Sequence, residues 1–247
     1  MIDVLILAGT GFPNGGDGVC EAFAERLDRR RFAPRFVTYP ATFGGLEDAW
    51  ALSRAAGLQA LIDATRATNR LVLPVGYSQG AGIAGDFAAA VGDGRLPGLE
   101  LVGCALIADP ARPAGATMPG RPAASGSGIL RPRQITGMPA WWAAAEGDPI
   151  TALANGSPLR GIADMADYYS LASPAAAIAW GRALLARAQA RDWQPWWSLE
   201  YWRDWGGAVE DAWGYLPPPL GGGRHTYAYV TERLCADLAE AVNRGIQ

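Results

Sequence analysis

The sequence predicts an α/β fold: a doubly wound parallel sheet of five strands with helices on both faces. Three observations predict it. Five short apolar runs are continuous rather than alternating, as strands covered on both faces are. Stretches with helical periodicity separate most of them, which is the βαβ alternation of a parallel sheet. At 247 residues and 50% hydrophobic content, the chain has the size and apolar fraction of one α/β domain with a large core.

The strand-like runs are residues 3–8, 35–39, 71–75, 99–108 and 138–145. Helices are expected over 21–30 after the first run, 46–68 after the second and 79–91 after the third. The second carries Leu46, Ala49, Trp50, Ser53, Ala56 and Leu61 three to four residues apart or nearly so, and the third is rich in small residues, as a helix laid on a sheet would be. The fourth and fifth strands are joined by residues 109–137, a long Pro, Gly, Ser and Ala segment of the kind that is usually functional or mobile. It leaves the carboxyl end of its strand, the edge where such sheets bind ligands. Residues 174–191 read as a helix. A segment with Trp193, Trp196, Trp197, Trp202, Trp205 and Trp213 follows, then a Pro/Gly loop over 216–223 and an amphipathic helix over 227–244.

Composition excludes several classes. Charged residues are only 18%, so the chain is not a disordered or coiled-coil protein. A net charge of -3 argues against a nucleic-acid groove. No run of apolar residues is long enough to span a bilayer, so no transmembrane segment is expected. Met1-Ile2-Asp3 carries an acid where a signal peptide carries basic residues, so no signal peptide is expected either. Cys20, Cys104 and Cys235 are widely spaced and form no zinc or CxxC pattern; free buried thiols are expected, and no metal site.

Gly76-Tyr77-Ser78-Gln79-Gly80 matches G-x-S-x-G, between a strand run and a helix run. The motif places a serine on a sharp strand-to-helix turn, with glycines where strand and helix must pack close, and it is the nucleophile turn of α/β-hydrolases. A serine hydroxyl needs a general base near neutral pH, and His225 is the one histidine in the chain. It lies on a late loop, as the order Ser, acid, His requires. Asp148, directly after the fifth strand run, is the first candidate for the acid that orients the imidazole. Asp109, at the end of the fourth, is the second. Asp164 and Asp167 read as surface acids of a helix and Glu146 as a solvated neighbour.

Acyl transfer also needs two N–H donors for the oxyanion. The residue after the nucleophile supplies one, Gln79, and the loop after the first strand, Ala8-Gly9-Thr10-Gly11, supplies Thr10 for the other. A dinucleotide-binding loop is the rival for these glycines. Its spacing fails at Asn14, and no acidic ribose ligand ends the second strand at Thr38-Tyr39-Pro40.

Taken together, Ala8-Gly9-Thr10-Gly11, Gly76-Tyr77-Ser78-Gln79-Gly80-Ala81, Asp109-Pro110, Gly147-Asp148 and the late His225 resemble the lysin B esterases of mycobacteriophages and related actinobacterial phages. These are cutinase-like serine esterases. The resemblance implies Ser78 as nucleophile, Asp148 as acid, His225 as base and Thr10 and Gln79 as oxyanion donors, with no cofactor. It implies a hydrolase core over 1–149 and 221–247 and a helical, Trp-rich insertion over 150–220. Ala8 departs from the pattern, since many members carry His there. The family implies cleavage of the ester joining mycolic acids to arabinogalactan, by an enzyme held in the host cytoplasm until lysis. A generic cutinase-like lipid esterase and a non-catalytic envelope-binding protein are the two alternatives. The Trp segment reads either as core packing of the extra helices or as a lid contacting a lipid interface.

Overall fold

The computed structural model describes residues 1–157, 159–166, 169–170, 172–190 and 223–246. The five expected strands form one parallel sheet: β1 (Ile2–Leu7), β2 (Phe32–Phe36), β3 (Val72–Tyr77), β4 (Cys104–Ile107) and β5 (Ala140–Ala143), in the order β2-β1-β3-β4-β5. The helices are α1 (Val19–Ala24), α2 (Trp50–Arg66), α3 (Gln79–Gly92), α4 (Leu159–Ala166), α5 (Pro174–Ala190), α6 (Tyr227–Thr231) and α7 (Leu234–Gly245).

Strand residues alternate between two cores. Val4, Ile6, Val75, Ala105 and Ile107 face one side, where Phe23 of α1 and Leu234, Leu238 and Val242 of α7 cover them. Leu5, Leu7, Cys104 and Leu106 face the other, against Leu61 of α2 and Ile83, Ala84 and Phe87 of α3. Both faces being buried is why the strands read as unbroken apolar runs.

Three features differ from the sequence pattern. β2 pairs with β1 from Ile2↔Phe32 to Ile6↔Phe36, three residues earlier than expected. It is an edge strand, where Pro34 costs no ladder bond on its outer side. Val37 and Tyr39 are buried past its end, so the apolar run outlasts the pairing. The last helix is two, because Arg233 takes a left-handed backbone (φ 62°) between α6 and α7. In place of one surface helical acid, Asp164 on α4 is buried and lies 3.4 Å from Arg187 of α5. The Trp-rich segment, Asp167 and the 216–222 part of the Pro/Gly loop lie outside the described residues. All three cysteines are free and buried. Among the described residues no helix is long and apolar enough to cross a membrane.

The segment 109–137 is packed rather than loose. Arg112 is fully buried, and its guanidinium donates to the carbonyls of Ala116, Ala124, Ser125, Gly126 and Thr151 at 2.7–3.2 Å. One cation thereby closes the segment on itself and ties it to the turn after β5.

α3 runs tightly under the end of β1. A Cβ placed on Gly80 would lie 2.1 Å from the Leu7 carbonyl oxygen and 2.6 Å from that of Ala8. Gly80→Ala is therefore expected to destabilise the protein by about 3 kcal/mol through overpacking, although Ala gains about 1 kcal/mol over Gly in an open helix. Urea unfolding measures the sign directly.

Candidate active site

β3 ends at Tyr77 and α3 begins at Gln79, so Ser78 alone makes the turn. Its backbone sits at φ 54°, ψ -119°, a region that costs a side-chain-bearing residue about 1–3 kcal/mol. The turn is held by close contacts: a Cβ on Gly76 would lie 2.1 Å from the Gly80 carbonyl oxygen. Ser78 N–H donates to Ile107 O at 2.9 Å, and Ser78 C=O accepts from Gly82 N–H at 3.0 Å. The result presents the hydroxyl at the carboxyl end of the sheet.

The structure brings Ser78, His225 and Asp148 together. Ser78 Oγ is 2.9 Å from His225 Nε2. His225 Nδ1 is 3.0 and 3.1 Å from the two carboxylate oxygens of Asp148. With a carboxylate at Nδ1, the neutral ring carries its proton there and turns the Nε2 lone pair toward the serine. Tyr77, the residue before Ser78, stacks on the imidazole at 5.4 Å between ring centroids and donates its hydroxyl to the His225 carbonyl at 2.7 Å.

Asp148 is fully buried in the turn after β5, where Asp148 N–H donates to Ala145 O. Its carboxylate accepts from Ile150 N–H at 2.9 Å and from the Tyr229 hydroxyl at 2.5 Å. The Tyr229 oxygen in turn accepts from Ala145 N–H at 3.3 Å. Burial, then the Asp148 carboxylate, push the Tyr229 phenol well above its ordinary value, so it stays a donor. Tyr229 lies four residues past His225, in α6. Nothing in the sequence marks it as a site residue, because an aromatic at that spacing also reads as core.

Asp109, the second candidate acid, has other partners. It accepts from Arg133 Nη2 at 2.8 Å, Trp142 Nε1 at 3.0 Å and Ala111 N–H at 3.0 Å. Glu146 is exposed and accepts from the amide and hydroxyl of Ser125; those bonds hold its carboxyl below the usual range.

Thr10 and Gln79 face one another beside Ser78. Thr10 Oγ1 is 3.4 Å from Gln79 Oε1, and Gln79 Nε2 donates to Thr42 O at 3.0 Å. The Ala8 carbonyl accepts the Tyr39 hydroxyl at 2.6 Å. Among the described residues no group of His, Cys, Asp and Glu has the makeup of a metal site.

No family model and no curated protein matches the sequence. Among solved structures, lysin B from mycobacteriophage D29 is similar, with 22% identity and a TM-score of 0.52 over 67% of this chain and 73% of that one. An acetyl xylan esterase (18% identity, TM-score 0.44, 62% of this chain and 86% of that one) and a cutinase-like protein from Cryptococcus sp. (16%, 0.43, 62% and 79%) are also similar. The chain shares with that lysin B its fold, a five-stranded parallel sheet flanked by helices.

The two buried carboxylates should respond differently to mutation. Asp109→Ala strips Arg133, itself largely buried, of its closest counter-charge. It is expected to cost about 3 kcal/mol in urea unfolding.

Proposed function

We propose that the protein is a serine esterase. One observation carries the reading: a serine on a strained strand–helix turn lies 2.9 Å from the chain's single imidazole, whose other nitrogen lies 3.0 Å from a buried carboxylate. In this reading Ser78 Oγ attacks the ester carbonyl while His225 Nε2 takes its proton and passes it to the leaving alcohol. Asp148 holds the ring and stabilises the imidazolium. The Thr10 and Gln79 amides hold the oxyanion. Water then repeats the cycle on the acyl-enzyme.

The substrate proposed is the ester between mycolic acids and arabinogalactan in the actinobacterial envelope, cleaved during phage lysis by an enzyme kept in the host cytoplasm until then. The motif order and the fold shared with a phage lysin B support it. In this reading 1–149 and 221–247 form the core, and 150–220, which contains α4 and α5, is an insertion.

Exposed apolar side chains on the segments that carry the site support a lipid-like ester. Phe12 follows the Thr10 loop, Phe43 and Leu46 follow the Thr42 carbonyl that holds Gln79, and Tyr227 follows His225. These four are 43%, 53%, 86% and 55% exposed. Such a surface suits an insoluble acyl chain better than a small polar ester. Lipid-interface contact is part of the proposal.

Two measurements test the reading. Ser78→Ala and His225→Ala are each expected to cut p-nitrophenyl butyrate hydrolysis by at least about 10³-fold, and Asp148→Asn by roughly 10²-fold or more. Full activity in Ser78→Ala overturns the mechanism. For the surface, Leu46→Asp is expected to slow release from emulsified long-chain esters by roughly tenfold, the worth of one buried leucine. Soluble butyrate turnover should stay within about twofold. Equal losses on both substrates would remove the interfacial role.

A further inference from the structure

Two buried polar side chains stand beside the site without touching Ser78, His225 or Asp148: Asp17 and Tyr39. They meet at one peptide group. The Ala8 carbonyl accepts the Tyr39 hydroxyl at 2.6 Å, and Gly9 N–H, the other end of the same peptide, donates to Asp17 Oδ2 at 2.8 Å. The second Asp17 oxygen accepts from Cys20 N–H at 2.6 Å in the first turn of α1. One peptide plane is thus fixed at both ends by side chains from two other segments, the loop before α1 and the chain just past β2.

The next peptide carries Thr10 N–H. On its far side Gly11 N–H donates to Ala41 O at 2.8 Å. The unit bearing the Thr10 donor is therefore bracketed by two anchored neighbours.

Asp17 has no cationic partner among the described residues, and burial pushes its carboxyl upward while the Cys20 and Gly9 amides pull it back. A buried carboxylate without a cationic partner is a costly way to close a loop. A short polar residue capping α1 would satisfy Cys20 alone. The arrangement makes sense if the direction of the Ala8–Gly9 peptide matters for more than packing.

We propose that Asp17 and Tyr39 are positioning residues that grip the Ala8–Gly9 peptide from opposite ends and thereby aim Thr10 N–H at the oxyanion. The inference rests on the esterase reading and deepens it. Hydrogen bonds weaken steeply as the donor angle departs from linear, so an unfixed loop loses much of its value to the transition state. The ground-state ester makes less of that bond, so the loss falls on kcat more than on KM.

The test uses Tyr39→Phe, which removes one hydroxyl and keeps the ring, and Asp17→Asn, which leaves only one of the two acceptor oxygens. For each, kcat and KM on p-nitrophenyl butyrate, the inhibition constant of butylboronic acid as a tetrahedral mimic, and Tm are measured on the full chain. Each variant is expected to lose about tenfold in kcat with KM within about twofold, and to bind the boronic acid more weakly by a matching factor. The double variant should lose less than the product of the two, because both act on one peptide. Folded variants with wild-type kcat, or kcat losses with unchanged boronic acid affinity, overturn the proposal. If Asp17→Asn fails to fold, Tyr39→Phe alone decides on the same readouts. A wild type that neither hydrolyses the ester nor binds the boronic acid removes the esterase reading, and the grip with it; an active wild type with unaffected variants removes the grip alone.

Discussion

The structure is organised around the backbone at Ser78. A residue with a side chain is held at positive φ between the last residue of β3 and the first of α3. That conformation is unfavourable by itself. It persists because β3 and α3 are both buried and because Gly76 and Gly80 let the two backbones, and that of β1, approach within distances that any Cβ would forbid. The hydroxyl is thereby delivered to the carboxyl edge of the sheet, and the other groups are arranged about that point. β5 brings Asp148, the segment before α6 brings His225, and the end of β1 brings Thr10.

The two fully buried aspartates show how surroundings assign roles to identical side chains. Asp109 and Asp148 follow neighbouring parallel strands, β4 and β5. Asp109 faces a guanidinium and an indole N–H, and its charge is spent on locking the 109–137 segment through Arg133. Asp148 has an amide, a phenol and an imidazole around it. Its carboxylate is left facing the imidazole ring, with no cation among the described residues competing for it. Arg112 completes the pattern from the opposite sign: its fixed positive charge is satisfied by carbonyl dipoles, which holds the segment without competing for either aspartate.

Much of this was legible in the sequence. Unbroken apolar runs gave away a sheet covered on both faces, and G-x-S-x-G between a strand run and a helix run located the turn. The single histidine left no competitor for the position facing Ser78. What was hidden has physical reasons. Pro34 and the apolar Val37 and Tyr39 shifted the apparent edge strand, because burial continues where pairing stops. The break at Arg233 is invisible because the amphipathic pattern runs through it. Choosing Asp148 over Asp109 needed the partners of each, and those come from Arg133 and Trp142 on the one side and Tyr229 on the other. Asp17, Tyr39 and Arg112 bond to main-chain groups, and side chain–main chain bonds leave no spacing rule in a sequence.

The proposed chemistry requires that His225 make the Ser78 hydroxyl nucleophilic. Mass mapping of the protein after exposure to a fluorophosphonate tests it most directly. One adduct is expected, on the peptide containing Ser78, formed rapidly by the wild type and hardly at all by His225→Ala. A label on another residue, or equal labelling with and without the imidazole, would contradict it.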